Sequence, residues 1–262
     1  MTFHDGIVAV RGRQIRLLRS GKGQPLLYFH DAWSYTWQPI HDHLAAQYEV
    51  VFPIHPGFEG SNGFEEMDRV EDLVFHYLDL IEALRLDQPI LMGVSLGGWL
   101  AAEFAVRYSP MLRALILVDA LGLRVPGAPA TDLFRLDAAQ MRAALFADPS
   151  SALAHELVPD TPPAAAIEST LRARQTYARF AWQFPDDPKL ASYLHRVRCP
   201  TLVVWGEADG VVPLRHAEVY RAEIVRAELA VLSAAGHLPQ VERPEPFAAT
   251  VLNYLERLAA GA

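Results

Sequence analysis

The chain has 262 residues, 51% hydrophobic and 21% charged, the balance of a soluble globular enzyme long enough to bury a sizeable core. A formal net charge of −8 argues against nucleic acid or an anionic membrane as the main partner, and no apolar run approaches the roughly 20 residues of a bilayer span. The single cysteine, Cys199, excludes an internal disulfide and any cysteine-based metal cluster, and fits a reducing compartment. The N-terminus, Met1-Thr2-Phe3-His4-Asp5-Gly6, lacks a basic segment followed by an apolar one, so no signal peptide is expected and the expected location is cytoplasmic.

Residues 7–10 and 14–18 read as two short strands about a tight turn at Arg11-Gly12-Arg13. Gly21-Lys22-Gly23 breaks the chain before an apolar run over 25–29, a buried strand ending at His30-Asp31-Ala32. A helix is expected over 37–47 and a strand over 48–54. Over 69–86, Val70, Leu73, Val74, Tyr77, Leu80, Ile81 and Leu84 recur at helical spacing, with Met67-Asp68 as the cap. The apolar run 89–92 stops at Gly93-Val94-Ser95-Leu96-Gly97 and passes at once into a helix-like segment over 99–108. Another apolar run, 112–118, ends at Asp119. Strand–helix alternation breaks after Leu123. Proline clusters and two Ala-rich helical stretches, 137–147 and 163–182, fill the next part without a strand. Residues 123–194 are therefore expected to form a helical insertion in a core made of 1–122 and 195–262. Alternation resumes with a strand over 201–205, a helix over 213–226, a strand over 230–232 and a closing helix over 246–258. The pattern implies an α/β fold, a mostly parallel central sheet flanked by helices, whose ligands bind outside the carboxyl ends of the strands.

The chemistry gathers at Gly93-Val94-Ser95-Leu96-Gly97. A buried strand that turns into a helix over so few residues strains the backbone of its central residue, and a Cβ at Gly93 or Gly97 would crowd strand and helix as they close. The turn projects the Ser95 hydroxyl at its tip, beside the free N–H groups of the helix start. A serine hydroxyl is a weak nucleophile at neutral pH, so it needs a base, and the base needs a partner that fixes its tautomer. Of ten histidines, His237 stands in a small-residue loop, Ala234-Ala235-Gly236-His237, directly after the last strand. Asp209 lies in the loop after the 201–205 strand, in a turn shaped by Gly210 and Pro213, and is the preferred orienting acid. Glu207 and Asp119, each near a strand end, are its rivals.

These motifs, Gly93-Val94-Ser95-Leu96-Gly97-Gly98, residues 206–213 and residues 236–244, resemble those of the α/β-hydrolase fold superfamily. The chain is similar to its branch with a helical cap after the sixth core strand, over roughly residues 5–122 and 195–260. The order Ser95, Asp209, His237 is the order of that fold's triads. The resemblance implies an oxyanion hole built from the backbone N–H of Leu96 and of Ala32. In the Ala32 loop the family usually has His-Gly before the donor residue, whereas this chain reads His30-Asp31-Ala32-Trp33. Asp31 is expected to turn away from the hole and bond its own loop. Trp33 and Leu238 are candidate pocket walls, and Trp33 equally suits packing against the cap. Phe134, Phe146, Tyr177, Phe180 and Trp182 suit the cap's own small core and its seat, and some of them are expected to line the cleft between cap and core. Arg172, Arg174 and Arg179 suit a solvated face.

The resemblance implies hydrolysis of a small, fairly apolar carboxylic ester through an acyl-enzyme on Ser95, with a small-molecule substrate as partner and neither cofactor nor metal. An alternative is a carbon–carbon bond hydrolase of vinylogous diketones, which shares cap size and triad order. Those enzymes usually carry Asn before the nucleophile and tryptophans after the catalytic histidine, where this chain has Val94 and Leu238-Pro239-Gln240-Val241. Haloalkane dehalogenases and epoxide hydrolases of the same fold use an aspartate nucleophile, against which Ser95 argues. A second alternative is a non-catalytic small-ligand receptor on the same fold. Acyl and alcohol groups and oligomeric state stay open at this level.

Overall fold

The computed structural model describes residues 2–182 and 185–261. β1 (His4–Val10) and β2 (Arg13–Ser20) form an antiparallel hairpin, and its turn places Arg11 and Gly12 at φ of 47° and 83°. Paired positive dihedrals match the right-handed twist of the flanking strands. β3 (Pro25–Phe29) leads to α1 (Pro39–Ala45), which is shorter than the helix expected over 37–47. Pro39 supplies a preset φ at the first helical position, and the Gln38 N–H donates to His41 Nδ1 at 2.8 Å, which fixes the start. After β4 (Glu49–Pro53), α2 (Val70–Leu84) is capped at Arg69 rather than at Met67-Asp68. Asp72 Oδ2 reaches back and accepts from the N–H groups of both Asp68 and Arg69 at 2.9 Å. β5 (Ile90–Val94), α3 (Leu96–Tyr108) and β6 (Ala114–Val118) follow.

Between β6 and the next core strand the chain differs from expectation in a pair of short strands and in two short helices, one at Ala152–Leu157 and one at Leu190–Tyr193. A two-residue strand, β7 (Gly122–Leu123), pairs in parallel with β8 (Asp186–Asp187), a ladder too short to show alternation in sequence. Besides α4 (Ala138–Leu145) and α6 (Ile167–Ala181) there is a third helix, α5 (Ala152–Leu157), started by Ser151 Oγ accepting from the Ala154 N–H. Six residues are too few for an apolar stripe to repeat. α7 (Leu190–Tyr193), β9 (Thr201–Gly206), α8 (Arg215–Glu223), β10 (Ala227–Leu232), α9 (Pro239–Glu242) and α10 (Pro244–Ala260) complete the chain. β10 begins three residues before the expected 230, because an edge strand tolerates the exposed Glu228 that interrupts the apolar run.

The eight core strands lie in the order β1-β2-β4-β3-β5-β6-β9-β10, with β2 antiparallel to β1 and β4 and the rest parallel. This is the mostly parallel, helix-flanked sheet expected. Every residue of β5 and β6 is buried, as parallel strands covered on both faces require. The chain leaves β3 for β4 on one side and returns past it to β5 on the other. That reversal falls between the carboxyl ends of β3 and β5, which lead into the Asp31 loop and Ser95, and it is at such a reversal that open α/β sheets bind ligands. No helix among the described residues is long and apolar enough to cross a membrane.

Candidate active site

Ser95 sits between β5 and α3 at φ 54° and ψ −113°, a strained conformation for a residue with a side chain. The strain is held from several sides. The Ser95 N–H donates to Val118 O at 2.9 Å, and Ser95 O accepts from the N–H groups of Trp99 and Leu121. A Cβ on Gly93 would stand 2.1 Å from Gly97 O, and one on Gly97 would stand 2.2 Å from Phe29 O. Glycine is the residue these closures admit.

His237 Nε2 lies 2.8 Å from Ser95 Oγ, placed to accept the hydroxyl proton, while its Nδ1–H donates to Asp209 Oδ2 at 2.9 Å. The side chains of His237 and Asp209 are 0% and 1% exposed, so this pairing is shielded from water. Asp209 is fixed in turn, because its Oδ1 accepts from the N–H groups of Val211 (2.7 Å) and Val212 (2.9 Å). Trp205 Nε1 ties down the same loop by donating to Val212 O. Of the two rival acids, Glu207 is exposed and Asp119 is buried at the end of β6, behind Asp209.

Leu96 opens α3, and Ala32 lies in the loop after β3. Between His30 and Ala32, the carboxylate of Asp31 turns back into its own loop. It accepts from the N–H groups of Trp33 (2.6 Å) and Ser34 (2.7 Å) and from the Ser34 hydroxyl, and Gln240 Nε2 approaches it at 3.3 Å. Beneath this loop two histidines are fully committed. His30 Nδ1–H donates to Asp31 O at 2.5 Å, while His30 Nε2 accepts from the His55 N–H. His55 Nε2–H donates to His30 O, and His55 Nδ1 accepts from the Tyr77 hydroxyl. Burial pushes His30 well below the usual histidine range and His55 to about 3, so both are neutral braces without a free nitrogen.

Residues 23–250 match the alpha/beta hydrolase family. The chain belongs to that family. It is 29% identical to a 2-hydroxymuconate semialdehyde hydrolase of Pseudomonas sp. (strain CF600) over 273 residues, covering 97% of this chain and 95% of that protein. Among solved structures it superposes on a serine hydrolase of carbazole degradation with a TM-score of 0.79 at 23% identity, covering 97% and 99% of the two chains. It also superposes on an esterase from Rhodococcus sp. ECU1013 with a TM-score of 0.79 at 20% identity, covering 98% and 100%. Both structural likenesses concern the fold.

In this alpha/beta hydrolase, a cavity of about 110 Å³ opens beside the Ala32 loop. Ala32, Trp33, Leu133, Phe134, Met141 and Tyr177 line it, with Leu136 and the exposed Arg174. Trp33 meets Tyr177 edge-on at 5.6 Å and so both walls the cavity and seats α6. Leu238 is fully buried at the start of α9 and is not part of this lining. The arginines of α6 divide. Arg172 pairs with Glu168 at the surface, whereas Arg179 leaves the expected solvated face to donate to Met67 O and pair with Asp68.

Three residues without a recognisable signal in the sequence support the site. Ser34 and Gln240 hold Asp31, and Glu242 bridges the histidine loop to the end of α4 by accepting from Gly236 N–H (2.6 Å) and Ala147 N–H (2.9 Å). Among the described residues, Asp119, Asp209 and His237 are the cluster whose ligand atoms converge within 4.8 Å. The Asp209 oxygens and His237 Nδ1 already have partners, which leaves Asp119 Oδ2 as the one unpartnered atom offered to a cation, too few for an oxygen-ligand site.

Proposed function

We propose that this hydrolase cleaves small, fairly apolar carboxylic esters through an acyl-enzyme on Ser95. The observation that carries the reading is the 2.8 Å approach of His237 Nε2 to Ser95 Oγ, with Asp209 behind the imidazole. His237 takes the hydroxyl proton as Oγ attacks the carbonyl carbon, and Asp209 stabilises the imidazolium that forms. The N–H groups of Leu96 and Ala32 receive the oxyanion, each worth on the order of 3 kcal/mol of transition-state stabilisation. The imidazolium then protonates the leaving alcohol, and the neutral ring activates water for deacylation. The small apolar cavity beside Ala32 suits a short acyl group or ring.

A second reading, carbon–carbon cleavage of a vinylogous diketone, is favoured by the likeness to the 2-hydroxymuconate semialdehyde hydrolase. Against it stand Val94 and Leu238, both fully buried and without a polar group at the positions flanking nucleophile and histidine. A chain-length series of aryl esters assayed beside a dienone diketone decides between the two. Turnover of the diketone above that of every ester refutes the ester assignment. A fluorophosphonate probe separates both readings from a binding role, through the presence or absence of a single adduct on Ser95.

A further inference from the structure

Behind the Asp209–His237 pair lies a carboxyl group that takes no part in the acyl transfer. Asp119 directly follows β6 at φ 42°, is 0% exposed, and accepts at Oδ1 from the Gly206 N–H at 2.9 Å. Its Oδ2 is buried and has no partner. Yet oxygens of Asp119 and Asp209 and a ring nitrogen of His237 all lie within 4.8 Å of one another. Two carboxylates so close in a dry site do not both ionise, because nothing screens their repulsion. The hydrogen bonds decide which one holds the charge. Asp209 accepts three, from Val211 N–H, Val212 N–H and His237 Nδ1–H, whereas Asp119 accepts one. Burial and the neighbouring Asp209 push the Asp119 carboxyl well above the usual carboxylate range. The other titratable groups facing the pair supply no cation. Glu242 is acidic, and burial lowers His216, whose Nε2 faces Ala128 O.

We propose that Asp119 is a positioning residue that keeps its proton and donates a hydrogen bond from Oδ2 to the Asp209 carboxylate. The bond gives the orphaned oxygen a partner, holds Asp209 in line with His237 Nδ1 and draws off part of the charge that the imidazole meets. The inference rests on the triad roles given under the proposed function.

Two variants test it through the pH profile of kcat/KM. Asp119→Leu keeps the site dry but removes the donor. Asp209 then presents its undiluted charge, imidazolium forms more easily, and the acid limb moves up by about half a pH unit. Asp119→Asn restores both bonds, with Nδ2–H to Asp209 and Oδ1 accepting from Gly206, and returns the limb to its wild-type position. Were Asp119 ionised, the Asn variant would instead remove a negative charge from beside the imidazolium and lower the limb by about one unit. That shift, or identical profiles for the Leu and Asn variants, overturns the proposal. If the Leu variant does not fold, the direction of the Asn shift alone decides. Titration of the downfield Nδ1–H proton resonance of His237 in wild type and Asp119→Asn separates the protonated from the ionised Asp119 without substrate. The proposal on Asp119 therefore stands or falls separately from the choice of ester.

Discussion

Replacing Asp31 with alanine is expected to weaken both fold and reaction, by amounts set by the donors its carboxylate holds. Asp31, Ser34 and Gln240 are each at most 1% exposed, so the groups released have little access to water. Hydrogen bonds to a charged acceptor contribute about 1.5–3 kcal/mol each, so the two short main-chain bonds from Trp33 and Ser34 alone imply a loss of about 3–6 kcal/mol. At roughly 2–3 °C per kcal/mol for a chain of this size, Tm falls by roughly 6–18 °C. Asp31→Asn loses far less. Its Oδ1 still accepts from both N–H groups, and Gln240 can flip to offer Oε1, an atom now without a partner, to the new amide.

If Ala32 is the oxyanion donor proposed above, the same substitution reaches the reaction through its N–H, which lies between the His30–Asp31 brace and the Trp33 bond. Deleting an oxyanion donor outright is worth about 10²–10³ in kcat, so loosening one should lower kcat roughly 30- to 100-fold. KM should stay within about threefold, because the bond strengthens only as the oxyanion forms. Thermal melts, steady-state rates on an aryl ester and the rate of fluorophosphonate labelling, all taken well below both melting temperatures, give the measurement. A kcat within threefold of wild type beside the expected fall in Tm would show that Asp31 braces the fold but not the hole. No change in either would show the carboxylate idle.

Ser95→Ala should lose at least ~10⁴-fold in kcat and take up no fluorophosphonate, the scale of triad knockouts; near-wild-type turnover would mean that another residue is the nucleophile. Trp33→Ala should open the cavity and move the acyl-chain optimum toward longer esters, and an unchanged optimum would remove Trp33 from the acyl wall. Stability should fall in acid. Burial holds His41 and His55 at about 3 and His76 at about 4, so the unfolded chain takes up protons below pH ~6.5 that the folded one refuses. The stability these neutral rings contribute is full above that pH and is lost at about 1.4 kcal/mol per unit per histidine as pH drops toward the folded values. His41→Phe should therefore reduce the loss between pH 7 and pH 5, read from urea midpoints, by about 2 kcal/mol, and an equal loss in both proteins contradicts the neutral-histidine assignment.

How far the sequence spoke depended on how local each determinant is. β5 and β6 were legible because strands buried on both faces are apolar at every position. The elbow was legible because its glycines are demanded by contacts within a few residues, such as Gly93 against Gly97. Residues that act across the chain left no comparable signal. Gln240 meets Asp31 from 209 positions away, and nothing in Leu238-Pro239-Gln240 distinguishes that amide from a surface one. Glu242 looks like an ordinary helix-start acid until the fold brings Gly236 and Ala147 to its two oxygens. Asp119 could be named as a candidate acid, but its distance from Asp209 depends on β6 and β9 lying side by side.

The helical segment between β6 and β9 meets the core in two chemically different ways, and the difference bears on how the site changes. The end of α4 is bonded main chain to main chain. Leu145 O accepts from the His237 N–H, Ala144 O accepts from the Gly210 N–H, and Thr131 bonds Val211 and Gly210 from the stretch before the helix. A helix C-terminus has carbonyls without intrahelical partners, and here two of them are completed by the loops that carry His237 and Asp209. Substitutions in α4 therefore act on the geometry of those two side chains. α6 is tied mainly by side chains, through Thr176 to Gly57 O and Arg179 to Met67 O and Asp68, with Tyr177 set against Trp33. Side-chain ties can be exchanged without moving main chain near Ser95. Changes in α6 thus fall on the cavity wall while the spacing of Ser95, His237 and Asp209 is kept.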